Sequence, residues 1–175
     1  MFLPLLLLLF PAFLQGQSND GTCSPNIYTV LSELEAKVNK LENQLQGTVA
    51  FSASLLASGE STTGPFSGFT PLIYKHVVTN VGNAYSSDTG IFTAPVRGVY
   101  YFSFSGHHGS TRSMGLRLMK NGQQMVTVYN HAAGNRHETA TNGMALELNP
   151  GDQVYMRLRQ NTWVFDNIND HSTFK

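Results

Sequence analysis

Charged residues are scarce in this sequence, and the two signs cancel. Only 13% of the residues are Asp, Glu, Lys or Arg, and 11 basic residues balance 11 acidic ones. A protein that binds nucleic acid in bulk shows a strong basic excess, so the composition argues against that function. With 16 Gly, 11 Phe and 7 Tyr, the composition instead favours a β-rich globular domain over a disordered chain.

Long hydrophobic runs are also lacking. The apolar run at residues 5–10 is bounded by Pro4 and Pro11, and it is far shorter than the about 20 residues that a transmembrane helix needs. Its place at the N-terminus predicts a signal peptide over residues 1–16 with cleavage after Gly16, and therefore a secreted protein without a membrane span. The alternative is a membrane-anchored N-terminus.

Cysteine occurs once, as Cys23, in a lead of residues 17–26 that is rich in Gly, Ser, Asn and Pro. Such a lead is expected to be flexible and exposed. An odd cysteine in a secreted chain predicts an interchain disulfide. The alternative is a free or capped thiol.

A heptad repeat occupies residues 27–46, where the apolar positions are spaced 4, 3, 4, 3 and 4 residues apart. This spacing predicts a coiled-coil stalk, because residues at the a and d positions form one continuous seam. The helix has fewer than three heptads, so it is too short to be stable alone and is expected to self-associate, with two or three strands both open. Docking on its own domain is the alternative. The seam residues are Ile27, Leu31, Leu34, Val38, Leu41 and Leu45.

The stretch GIFTAPVRGVYYFSFSG at residues 90–106 carries apolar residues on both faces of a predicted strand. Tyr100, Phe102 and Phe104 lie on one face, while Val99 and Tyr101 lie on the other. A half-buried strand should present polar residues on its second face. The second face of this strand therefore requires a packing partner.

Similar alternation predicts further strands at residues 49–55, 72–79, 114–119, 126–128, 144–148 and 154–158, with a loop at 56–71. Asn121-Gly122 predicts a two-residue hairpin turn, and residues 149–152 predict another turn. Strands joined by turns, without helices between them, indicate an all-β antiparallel sandwich over residues 48–175.

Spaced aromatic residues give this domain a specific resemblance. The spaced residues, with one Asn and one Gly among them, are Tyr74, Asn80, Tyr85, Phe92, Gly98, Tyr100, Phe102 and Phe104. Their spacings all match the signature of the complement C1q globular domain, and the one departure is Tyr74, where the family usually has phenylalanine. Residues 48–175 therefore resemble the C1q family, and the absence of a Gly-X-Y repeat makes the chain similar to the short, cerebellin-like members.

The resemblance implies a ten-stranded jelly roll of two five-stranded sheets and a compact homotrimer. In that architecture Tyr100, Phe102 and Phe104 would be core, whereas Val99 and Tyr101 would face the neighbouring subunits. The family usually continues past Ser-Thr-Phe with an apolar last strand, but this sequence reads through Phe174 to Lys175. A truncated last strand, and a C-terminally incomplete domain, are therefore expected.

No recognised catalytic, zinc or nucleotide motif occurs in the sequence, so we expect no enzymatic activity and no cofactor. Calcium is a candidate, since the resemblance implies an ion near the trimer axis. Four aspartates in predicted loops could supply oxygen ligands. The alternative is that aspartate simply favours turns. The four are Asp88, Asp152, Asp166 and Asp170.

A basic strip is predicted on the solvent face of two strands. Arg117 points away from the apolar face of its strand, and Arg157 and Arg159 do the same on theirs. The resemblance places these strands side by side, with Tyr155 on the same face and able to stack on an arginine. The strip is a candidate contact for anions such as lipid head groups or sulfated sugars, because arginine suits bidentate recognition. The alternative is an ordinary solvated face.

Two functions are consistent with these features. The first is a secreted trimeric recognition protein of innate immunity, whose several heads bind microbial or altered-self surfaces. The second is a secreted signalling ligand, similar to cerebellin-like synaptic organisers or adiponectin-like hormones, which acts on one cell-surface receptor.

Overall fold

The computed structural model describes residues 26–46, 48–109, 111–132 and 134–175, and it describes residues 42–46 by their backbone only. The predicted signal peptide at residues 1–16 and the predicted interchain disulfide at Cys23 lie outside the described residues. The side chain of Leu45, the last predicted seam residue, does so as well.

Helix α1 spans Ile27–Gln46. Asn26 caps it, because the Asn26 side-chain oxygen accepts a hydrogen bond from the Tyr28 amide at 3.1 Å. The described seam residues are exposed in the single chain, which is how an unpaired coiled-coil seam should look. The exposed fractions are 50% for Leu31, 51% for Leu34, 49% for Val38 and 57% for Leu41.

The described residues after the helix form thirteen strands. They are β1 (Ala50–Ser54), β2 (Ser61–Thr63), β3 (Thr70–Pro71), β4 (His76–Val81), β5 (Tyr85–Ser86), β6 (Ile91–Thr93), β7 (Gly98–Gly109), β8 (Met114–Lys120), β9 (Gln123–Asn130), β10 (His137–Leu148), β11 (Gln153–Leu158), β12 (Val164–Asp166) and β13 (Thr173–Phe174).

These strands form two antiparallel sheets. The inner sheet has the order β2-β12-β7-β13-β1-β4. Strand β10 also belongs to this sheet and pairs with β7 along the whole length of both strands. The outer sheet has the order β5-β6-β11-β8-β9, with β3 paired to β11. The predicted all-β antiparallel sandwich is confirmed.

Several predicted boundaries differ from the structure. Sheets of seven and six strands replace the expected five and five. The predicted loop at residues 56–71 contains β2 and β3, and the strand predicted at 72–79 begins only at His76. Strands β2 and β3 are short and lie at sheet edges, so their pairing with β12 and β11 defines them more than their own sequence does.

An aromatic cluster fills the space between the sheets. The Phe51 ring stacks on Tyr85 at 4.8 Å and meets Phe174 edge-on at 4.8 Å. The Phe102 ring lies 5.2 Å from Phe92 in a T-shaped arrangement. Offset and edge-to-face contacts of this kind stabilise a core beyond the area they bury. The signature phenylalanines Phe92, Phe102 and Phe104 are therefore core residues, as expected.

Two other signature residues supply polar contacts within this region. The Tyr85 hydroxyl donates to the Tyr74 carbonyl at 2.9 Å and accepts from the Tyr74 amide at 3.1 Å. Burial raises the pKa of Tyr85 to about 12, so the hydroxyl stays protonated. The Asn80 side chain donates to the Tyr85 carbonyl and accepts from its amide, which fixes strand β5 against the rest of the domain.

Tyr100 was expected in the core, but it is only partly buried at the margin of the cluster. Its hydroxyl donates a hydrogen bond to the Val96 carbonyl at 2.8 Å. A phenol has a polar tip, so the ring lies at the edge of the core, where its hydroxyl has a partner. Phenylalanine at positions 102 and 104 carries no such group.

The last strand, β13, comprises only the two residues Thr173–Phe174, and the expected truncation of this strand stays a prediction. Strand β13 lies between β7 and β1, with Phe174 opposite Phe104 and Ala53. Lys175 and Ser103 exchange two backbone hydrogen bonds of 2.8 and 3.0 Å. Residues 173–175 therefore lie beside β7 at this point of the inner sheet.

Candidate functional site

The basic strip, Arg117, Arg157 and Arg159, lies on the solvent face of the outer sheet. Arg157 on β11 is directly opposite Arg117 on β8. Two residues after Arg157, the Arg159 amide donates to the Gly115 carbonyl at 2.8 Å, so Arg159 lies opposite Gly115. The structure thus brings the three predicted arginines together, while their role in binding stays a prediction.

Each arginine of the strip lies over an aromatic ring. The Arg117 guanidinium is 3.8 Å from the Phe69 ring centre, and the Arg159 guanidinium is 4.7 Å from Tyr129. Arg157 lies over Tyr155 at 5.6 Å, and Tyr155 is the ring that was expected to stack on an arginine. Stacking on a ring holds the guanidinium in place and leaves the N–H groups at its edge available to a ligand.

Phe69 and Tyr129 were missed by sequence reasoning. The signal for Tyr129 was present, because the Asn121-Gly122 turn sets the register of the β8/β9 hairpin and places Tyr129 opposite Gly115. Phe69 precedes the two-residue strand β3 in a segment predicted as loop, so no periodic pattern indicated its position.

Positive charge in the strip is not balanced by acids. None of the three arginines has a carboxylate within ion-pair distance in the described part of the chain, whereas Arg97 pairs with Glu147 at 2.6 Å. Burial, and then the charge of Arg159, lower the pKa of Arg117 from its ordinary value. The Arg157 Nε atom is buried and has no hydrogen-bond partner in the described structure. The strip is therefore a concentrated positive surface whose N–H groups are not fully used.

The solvent face of the inner sheet has the opposite character. Val99 and Tyr101 on β7 are 76% and 70% exposed, and Val78 on β4 is 64% exposed. Exposed apolar side chains grouped on one sheet face are typical of an interaction surface. The assignment of Val99 and Tyr101 to a trimer interface stays a prediction.

The predicted calcium ligands are not brought together in the single chain. No group of three or more His, Cys, Asp or Glu able to hold a metal ion occurs in the part of the chain that the structure describes. Asp166 was expected in a loop, but it lies in β12 and is fully buried. Its carboxylate accepts from the amides of Leu56 and Ser172, so it has a structural role.

Two other candidate aspartates have structural partners as well. The Asp152 carboxylate accepts from the Asn149 amide and from the Asn121 side chain, which lowers the pKa of Asp152. The Asp170 carboxylate accepts from Ser54, which with His76 lowers the pKa of Asp170. Both carboxylates hold turns of the domain, and calcium binding near a trimer axis stays a prediction.

Ser54, His76 and Asp170 have the composition of a hydrolytic triad without its geometry. The Ser54 hydroxyl donates to the Asp170 carboxylate at 2.5 Å. The same His76 nitrogen, Nδ1, lies 3.2 Å from the serine oxygen and 3.1 Å from the carboxylate. A catalytic histidine needs one nitrogen for the serine and the other for the carboxylate, so this cluster cannot relay a proton in that way.

A family model described as C1q domain matches residues 50–175. The chain belongs to the C1q domain family. Complement C1q tumor necrosis factor-related protein 3 of Mus musculus and of Homo sapiens are each 36% identical to it over 88 residues, which is 50% of this chain and 36% of the relative. Caprin-2 of Danio rerio is 32% identical over 130 residues, which is 72% of this chain and 13% of that protein. The chain thus spans about a third or less of the length of these relatives.

Solved structures support the fold of this C1q domain. The globular domain of zebrafish complement 1qA protein has a TM-score of 0.57 at 20% identity, covering 73% of this chain and 94% of that chain. Murine APRIL has a TM-score of 0.56 at 10% identity, covering 72% of this chain and 95% of that chain. The fold is therefore the jelly roll shared by C1q domains and tumour necrosis factor proteins.

Family membership sets the general type of function. Proteins of the C1q and tumour necrosis factor families are non-enzymatic recognition or signalling proteins, which agrees with the expected lack of enzymatic activity. They form trimers and bind ligands or receptors. The helix of the described residues is not long and apolar enough to cross a bilayer.

Proposed function

We propose that this chain is a secreted, trimeric recognition protein of innate immunity, whose heads bind anionic microbial or altered-self surfaces. The basic strip carries this proposal. Three arginines, none of which has a carboxylate partner among the described residues, lie together on one sheet face, each held over a ring. Neighbouring guanidinium groups repel one another when no negative charge lies between them, and an anionic ligand would offset that repulsion.

Self-association supports the same function. The exposed Val99 and Tyr101 on the inner sheet provide an apolar surface, and the half-exposed seam of α1 provides a second one. An interchain disulfide at Cys23 would join trimers further. Each head then binds weakly through its own strip, and effective concentration multiplies the affinity of the assembly.

The test removes the three charges of the strip. Arg117, Arg157 and Arg159 are all changed to Ala, and binding to immobilised bacterial lipopolysaccharide is measured at about 0.05 M and about 0.5 M NaCl. We expect wild-type binding that weakens at high salt, and a variant that has lost most of it. A control with Arg97, Arg112 and Arg136 changed to Ala removes equal charge elsewhere and should bind like wild type.

Unchanged binding by the strip variant would contradict the proposal. Absence of wild-type binding at either salt concentration would favour the alternative function, a signalling ligand that acts on one receptor. In that case expression restricted to the brain, without induction in liver or gill after bacterial challenge, would be the expected pattern.

A further inference from the structure

A small pocket opens beside the basic strip, between β8 and β9 of the outer sheet. Its volume is about 90 Å³, which suits one compact group rather than a whole sugar ring or peptide. The polar or charged residues that line it are Arg117, Gln124, Thr127, Tyr129 and Arg159.

Donor groups dominate the lining of this pocket. Arg117 and Arg159 contribute guanidinium N–H groups, Gln124 an amide NH₂ and Thr127 a hydroxyl. No carboxylate lines the pocket, and Arg159 is held over the Tyr129 ring at 4.7 Å. Several donors that come from different strands match an anion with oxygens in several directions, such as a tetrahedral sulfate, better than a planar carboxylate.

Gly115 forms the floor of the pocket and keeps it open. A Cβ atom at this position would lie 3.0 Å from both the Arg159 Cβ atom and the Tyr129 ring. Any larger residue would therefore push apart the arginine and the ring that stack over the glycine. This need for a close approach explains a glycine in the middle of a strand whose other positions are filled.

We infer that this pocket binds a single sulfate ester group of a sulfated glycan. The inference rests on the proposed function, because it assigns the pocket to the same basic strip, and it identifies which anion the strip recognises. One sulfate enters between Arg117 and Arg159, while Arg157 lies beside the pocket and meets the next negative group of the polymer.

A glycan fits this surface better than a membrane does. The strands next to the pocket, β8, β9 and β11, carry no exposed aliphatic side chain among their described residues, and the two exposed rings nearby, Phe69 and Tyr129, lie under the guanidinium groups of Arg117 and Arg159. The exposed valines Val78 and Val99 lie on the inner sheet instead. Repeated single charges along a flexible polymer match a row of arginines on a flat sheet.

The experiment measures binding of the full chain to immobilised dextran sulfate, with unsulfated dextran and phosphatidylglycerol vesicles as comparisons. We expect binding to dextran sulfate alone, and competition by free sodium sulfate beyond that of sodium chloride at equal ionic strength. Arg159→Lys keeps the charge but loses the planar fork, and it should bind roughly 10-fold more weakly. Gly115→Ala should have a similar effect, because it narrows the pocket.

Thr127→Val provides a variant that keeps the strand and the shape of the pocket. It removes one hydroxyl donor, so binding should weaken roughly 3-fold with an unchanged Tm. Arg97→Lys, at the ion pair with Glu147, is the control and should bind like wild type. If Gly115→Ala does not fold, Thr127→Val and Arg159→Lys still decide the question.

The possible outcomes bear differently on the pocket and on the proposed function. Wild-type binding to dextran sulfate that Thr127→Val, Gly115→Ala and Arg159→Lys leave unchanged would overturn the pocket, while lipopolysaccharide binding through the strip would still stand. Binding to phosphatidylglycerol vesicles but not to dextran sulfate would overturn the glycan assignment. Failure to bind lipopolysaccharide and dextran sulfate alike would overturn both proposals.

Discussion

The solvent faces of the two sheets differ sharply, although both sheets cover the same aromatic interior. The inner sheet exposes Val99 and Tyr101, while the outer sheet presents the partly buried Arg117 and Arg157 together with the exposed Arg159. Exposure of the apolar side chains on the inner sheet to water is unfavourable, so this face is suited to pack against another copy of the chain. Like charges repel, so the second face resists the same packing and is suited to an anionic ligand. Assembly through one sheet and recognition through the other would leave every head of a trimer free to bind.

The largest effect should come from the interior that both faces share. Phe102 is 1% exposed and contacts the rings of Phe92 and Phe174. Phe102→Ala leaves a cavity in this cluster, and we expect the free energy of unfolding to fall by about 3–5 kcal/mol. Urea unfolding followed by circular dichroism at a fixed protein concentration measures the change.

Val96→Ala is the control, since Val96 lies two residues before the same strand, is 39% exposed and is not among the residues assigned to the trimer interface. It should change the free energy of unfolding by less than about 0.5 kcal/mol. An equal loss for both variants would show that Phe102 contributes no more to the core than an exposed side chain does.

A second prediction concerns assembly rather than folding. Tyr101→Asp places a charge in the apolar face of the inner sheet, and burying it against another subunit would cost several kcal/mol. We expect sedimentation velocity to show trimers for the wild type and monomers for the variant, with the secondary structure retained. Arg157→Asp introduces the same residue on the outer sheet and should leave the trimer intact. An intact Tyr101→Asp trimer would contradict the interface assignment.

The sequence predicts much of this fold because its signals are local or strongly periodic. The aromatic positions of β7 alternate over the whole strand, and the Asn121-Gly122 turn fixes the register of the β8/β9 hairpin. Both turn residues have the positive φ angles, 47° and 84°, that such a turn requires. The basic strip was also predictable, because alternation decides on which face Arg117 and Arg157 lie.

Other features could not be predicted because long-range contacts determine them. Asp166 was expected in a loop, yet it is buried where the amide of Leu56, which is 110 residues away in the sequence, and the amide of Ser172 donate to its carboxylate. Strands β2 and β3 are only three and two residues long, too short to show a periodic pattern, and they depend on pairing with their neighbours. Phe69 reaches Arg117 from a segment without any periodic pattern. The pocket likewise depends on β8, β9 and Arg159, which come together at Gly115.

Histidines, rather than apolar residues, occupy the far end of the inner-sheet face. His107 lies on the same face of β7 as Val99 and Tyr101, but it is 9% exposed, and its ring stacks on His171 at 4.4 Å and on His137 at 5.4 Å. Burial, followed by the charges of His171, His137 and His108, lowers the pKa of His107 below 6.5, against an opposing effect of Asp166. This end of the face should therefore be sensitive to pH.

The smallest expected effect is the loss of stability that follows from this shift. As the pH falls through 6.5, the unfolded chain takes up a proton at His107 more readily than the folded chain does. The free energy of unfolding therefore decreases below that pH, until the folded-state pKa is passed as well. We expect the Tm of the wild type to fall between about pH 7.5 and about pH 5.5, and that of His107→Gln to fall less. His131→Gln, which removes an exposed histidine beside Tyr129 on the outer sheet, should keep the wild-type pH dependence. If His131→Gln reduces the change of Tm with pH and His107→Gln does not, the pH sensitivity belongs to the outer sheet, and the proposed contrast between the two faces is wrong.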